Sequence, residues 1–195
     1  MIVTMDGHDE LMSLAERYWD SVLEAAPSEA TLLGDRRFDD RIEDLSVDAE
    51  QRSLSTWREL LRTVDALDAE RLNPTDRVTR SLLRTELSGA IEHLEWRPVE
   101  LASDQMSGVH AGVLMVAPQT NAPRPEHALA LVRRYRQFGD MLGQAVQRFR
   151  SGLAAGRAPA RITIERSRKQ LARDLDYDKA AAPFVTFYGP AGWGG

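Results

Sequence analysis

Four histidines are the residues in this chain best suited to metal or proton chemistry, and they stand far apart, at His8, His93, His110 and His127. A helical zinc hydrolase needs two imidazoles one turn apart with a glutamate between them, the HExxH pattern, so that both rings face one ion. That pattern is absent. Asp9 and Glu10 follow His8, and Glu92 precedes His93, but adjacent residues on a helix diverge by roughly 100°, so neither cluster chelates by itself. The serines Ser103, Ser107 and Ser151 lack the strand-turn-helix context of a nucleophile, and no glycine loop cradles a phosphate ahead of a Lys-Ser or Lys-Thr pair. The polar residues that fall where a cleft could form are Asp104, Gln105 and His110. They lie in the one irregular stretch of the chain, where loop statistics favour Asp104 as the cap of a short turn and His110 as packed at its edge. No catalytic, metal-binding or cofactor-binding residue is assigned from this pattern, and no cofactor is expected in the chain.

Composition narrows the classes further. The 195 residues are 43% hydrophobic and 28% charged, with 25 basic and 30 acidic side chains and a net charge of −5. This is globular composition. Nucleic acid is not an expected partner, because its binders concentrate basic charge on one face. The nearest candidate, Arg133, Arg134, Arg136, Arg148 and Arg150, is spread by the 3.6 period over more than one face and reads as solvated helix surface. With no cysteine, disulfides and thiolate chemistry are excluded. No apolar run is long enough to span a membrane, and the start MIVTMDGHDEL does not read as a signal peptide. The expected location is the cytoplasm, with no membrane partner.

The elements that must position these residues are helical. The run from His127 to Gly156 places Leu131, Tyr135, Phe138, Leu142, Ala145, Phe149 and Leu153 on one stripe, with Pro125 suited to its first turn and Gly156 and Pro159 to its end. Gly139 and Gly143 inside it would permit close approach of another helix. A first helix runs from about Asp9 to Ala26, with Leu11, Leu14, Tyr18, Trp19, Val22 and Leu23 inward. After Pro27 come a short turn, SEATLL, closed by Gly34, and a charged surface connection anchored by Phe38, Ile42 and Leu45. Ser46 caps a helix to about Leu67 with a seam of Leu54, Trp57, Leu61 and Val64. Asn73 and Pro74 open another, carrying Val78, Leu82, Leu83, Leu87 and Ile91, which Pro98 stops. A last helix follows Thr163, with Ile164, Leu171 and Leu175 inward. The expectation is an all-α fold, an antiparallel bundle of about five long helices with one long irregular loop, Pro98 to Pro125. A helical domain fills residues 1–182, and the glycine- and aromatic-rich tail 183–195 is not helical.

Three blocks, PSEATLLGDRRFDDRIEDLS, DQMSG and YRQFGDMLGQAVQRFRSGLAAGRAP, together resemble the N-terminal part of the bacterial domain-of-unknown-function 885 family. That family is similar to helical zinc carboxypeptidases of the Taq type, in which HExxH lies on a central helix well beyond the region matched here. The resemblance therefore implies zinc only for full-length members and a supporting role for this chain, as wall or lid of a substrate groove. The expected function is a truncated or split, non-catalytic helical domain whose partner is a missing C-terminal catalytic portion. The alternative is a self-sufficient helical interaction module whose apolar tail docks on itself, as self-association, or on a partner.

Overall fold

A computed structural model of the chain describes residues 7–174. Among them the fold is all-α, without a strand: α1 (Gly7–Ala25), α2 (Pro27–Leu32), α3 (Val47–Ala66), α4 (Pro74–Glu95), α5 (Val109–Val116), α6 (Pro125–Arg136), α7 (Phe138–Ala154) and α8 (Arg161–Asp174). The chain divides into two compact units, one from the N-terminal helix and Ser46–Pro98, the other from Pro27–Leu45 and the chain from Val99 onward. The tail 183–195 lies outside the described residues.

The first unit packs α1, α3 and α4 around Leu11, Leu14, Leu54, Leu60, Val64 and Leu87. α1 and α4 start at the same end, because Gly7 sits against Leu72 and the His8 ring meets Asp76. α3 runs the other way, as Arg80 early in α4 donates to Val64 O near the end of α3 at 2.9 Å while Arg58 earlier in α3 pairs with Glu95 at the end of α4. The expected caps are in place: the Ser46 side chain accepts from the Ala49 amide, and Asn73 accepts from the Asp76 amide ahead of Pro74. Asn73 also donates to the buried Asp76 carboxylate at 2.6 Å. Asn73→Ala should therefore cost about 1 kcal/mol, read as a lower urea midpoint at unchanged slope.

Some seam assignments shift. Leu60, fully buried, takes the place expected of Leu61, which is partly buried. Trp19, Val78 and Leu82 are exposed, because three helices enclose only one side of each.

In the second unit the charged connection is ordered. Asp35 caps a 3-10 turn (Arg36–Phe38), and the Arg37 and Arg41 guanidinium groups lie 5.2 and 5.4 Å from the centre of the Phe38 ring. Gly34 closes α2 with φ +91° and Gly156 follows α7 with φ +76°, conformations that glycine adopts without a Cβ penalty.

The long run from Pro125 onward breaks at Gln137. Its amide bonds to Arg134 O three residues back, and its own side chain takes Arg133 O, the carbonyl that an unbroken ladder would have assigned to that amide. The same side chain reaches Asp40 O at 2.7 Å. A Cβ added at Gly139 or Gly143 would meet nothing within 4 Å, so neither supports a close helix approach. In α8, Ile164 and Leu171 are exposed and Ser167 is the buried residue, while Leu175 lies outside the described residues.

Candidate functional site

The irregular stretch between Pro98 and Pro125 holds α5, and its polar residues are occupied in building it. Asp104 accepts from the Met106 and Ser107 amides at 2.8 and 2.7 Å and from the Ser107 hydroxyl at 2.5 Å. These donors, the Ser107 hydroxyl foremost, hold its carboxyl down at about 2. Gly108 bonds back to Asp104 O at 3.0 Å. A Cβ there would fall 2.2 Å from that oxygen, so the turn requires glycine.

His110 is buried, and its Nε2 lies 3.3 Å from Gln170 Oε1 on α8. Ser167 of the same helix donates its hydroxyl to Ser103 O. Asp104 and His110 thus flank one glycine, and Gln105 lies in the same turn. The Asp104 carboxylate itself is a turn anchor. Because its folded pKa is depressed, its contribution is present above the ordinary carboxylate range and is lost as pH falls through about 2. The Ser107 amide shift in an NMR titration should accordingly move near pH 2 and not near 3.9, the ordinary aspartate value.

Two buried centres of this unit were not anticipated, and both draw on arginines read as surface. Arg134 is 1% exposed. Its Nη2 donates to Thr31 Oγ1 at 2.6 Å, Phe38 O at 2.9 Å and Pro27 O at 3.1 Å. Thr31 in turn donates to Asp39 at 2.7 Å, and Arg36 bridges the other Asp39 oxygen to Asn121 O. Burial lowers the Arg134 pKa, while Glu43, Asp39 and Asp40 pull it back up. Nε and Nη1 of Arg134 have no hydrogen-bond partner among the described residues. The adjacent Tyr135 phenol is pushed up, first by burial, with Arg134 and a hydrogen bond from Thr120 opposing.

The second centre is Glu100, 0% exposed, with Arg148, 2% exposed. Arg148 Nη2 stands 3.8 Å from Glu100 Oε1, and Arg157 donates from Nε to Oε2 at 2.7 Å. Gly152 makes this possible, since a Cβ there would lie 3.0 Å from Glu100 Cβ. Leu131, Arg134, Met141, Ala145, Arg148 and Gly152 form the buried stripe of α6 and α7. It keeps Leu131 and Ala145 of the expected stripe and elsewhere takes the residue before, with Arg134, Met141, Arg148 and Gly152 in place of Tyr135, Leu142, Phe149 and Leu153. The spacing signal was available, because Arg134 and Arg148 each stand three residues after a buried apolar position.

Chemically, these centres tie loops and helices together. Among the described residues no group of three or more His, Asp or Glu side chains could hold a metal ion, so the described residues do not assemble a zinc site. No helix among them is long and apolar enough to cross a membrane.

The class that the described residues show is an all-α protein. The chain belongs to the family described as "Bacterial protein of unknown function (DUF885)", whose family model matches residues 27–191. No curated protein and no solved structure matches it.

Proposed function

We propose that the chain is a non-catalytic helical part of a peptidase-like protein and supplies the wall or lid of a substrate groove. The family is described as of unknown function, and the peptidase-like setting rests on the resemblance to Taq-type zinc carboxypeptidases drawn from the sequence blocks. The observation that carries the wall reading is the anchoring of the 98–125 segment. Glu100 is held by Arg148 and Arg157, Ser103 by Ser167, and His110 by Gln170. A long segment without regular spacing, fixed at several points, is a shaped surface and not a linker. No zinc-dependent step is assigned to these residues.

Metal analysis and peptide hydrolysis on the purified full chain test this directly. The expected result is substoichiometric zinc after dialysis against the metal and no cleavage of unstructured peptides. One zinc per chain together with cleavage would overturn the reading.

A further inference from the structure

The outer face of α4 carries more apolar surface than a helix with one buried side requires. Val78, Leu82 and Trp96, the last at the C-terminal cap, are 69%, 58% and 66% exposed. Val78 and Trp96 are five full helical turns apart, and Leu82 lies one turn beyond Val78, so all three share a stripe. Thr85 and Gly89 fall between them on that stripe, and a Cβ added at Gly89 would meet nothing within 4 Å. The core residues Leu83, Leu87 and Ile91 point the opposite way.

Charge along α4 is divided lengthwise. Arg77, Arg80 and Arg84 occupy its first half, and Glu86, Glu92 and Glu95 its second; the next basic residue, Arg97, follows Trp96 and turns out of the helix with φ +54°. The acid of the first half, Asp76, is buried in the cap. A parallel second copy would set like charge against like. An antiparallel copy, with its two-fold axis near Leu87, sets Val78 against Trp96 and brings Arg77 within about two positions of Glu95 and Arg84 within about two of Glu92.

We propose that this face of α4 is a self-association surface whose occupant is α4 of a second copy, packed antiparallel. Arg84 and Glu95 already pair with Asp65 and Arg58 at half-exposed positions. Their charges therefore set register and direction, while the apolar stripe supplies the affinity. A 22-residue helix is about 33 Å long. One helix pair of that length is at the small end of stable interfaces, so dissociation in the range of about 10–100 µM is expected.

Sedimentation equilibrium of the full chain from about 1 to 300 µM spans that range and should show the mass rising from monomer to dimer. Leu82→Glu, at an exposed position, should weaken association at least about tenfold, with melting and helical circular dichroism unchanged. The chain has no cysteine, so Thr85→Cys and Gly89→Cys variants can be mixed and oxidised. The antiparallel pairing predicts a cross-link between positions 85 and 89. A chain that stays monomeric throughout, a Leu82→Glu variant that dimerises like the wild type, or a dominant 85-to-85 cross-link would each overturn the proposal.

Discussion

Replacing Arg134 by alanine is expected to lower stability by about 3 kcal/mol, a fall of roughly 6–12 °C in melting temperature for a chain of this size. The substitution leaves Pro27 O, Phe38 O and Thr31 Oγ1 without the donor they share. Phe38 O keeps the Arg41 amide and Pro27 O the Thr31 hydroxyl, so what is lost is hydrogen bonding from a charged donor, about 1.5–3 kcal/mol, and loss of the side-chain stem opens a cavity in addition. Relief of the desolvated guanidinium, whose Nε and Nη1 are unmatched among the described residues, works the other way. The acceptor and cavity costs together exceed that relief, because Asp39, Asp40 and Glu43 also lose their buried counter-charge. Arg134→Lys keeps the charge, but its nitrogen ends one bond short of the Nη2 that makes all three hydrogen bonds, and it should recover less than half of the deficit. Urea denaturation followed by circular dichroism separates the three proteins.

The second large effect is at Glu100. Glu100→Ala removes the carboxylate facing Arg148 and Arg157 and should cost about 3–5 kcal/mol, the range seen when one partner of a buried pair is deleted. Arg148→Met alone should cost less, because Arg157 still pairs with Glu100 at 2.5 Å. The double variant should be more stable than the sum of the single losses predicts, since neither buried charge remains. A coupling of about 1–3 kcal/mol is expected from the cycle. Additive losses would mean that Glu100 and Arg148 do not act as a pair.

The helices were legible from sequence because their signals are local. The Ser46 and Asn73 caps, the Gly34 and Gly156 stops and the proline at the start of α6 each act within one turn, and each is where its chemistry places it. The turn role of Asp104 was one of two readings the sequence left open, and its bonds to Met106 and Ser107 select it. Orientation was less legible. In α6 and α7 Tyr135, Leu142 and Phe149 lie one position from the buried stripe, and Leu153 is 60% exposed. Hydrophobicity cannot rank a buried arginine as inward, since its acceptors, Pro27, Thr31 and Phe38, lie about a hundred positions upstream. The break at Gln137 was hidden for the same reason, because it depends on a side-chain bond to Asp40 O.

An alanine scan across Arg133, Arg134, Arg136, Arg148 and Arg150, read as unfolding free energy in urea, tests most directly whether this helical run turns its arginines inward. Arg134 and Arg148 should each cost at least about 2 kcal/mol, while the three exposed arginines stay within about 0.5 kcal/mol of the wild type. Five equal, small effects would contradict an interior held together by buried guanidinium groups.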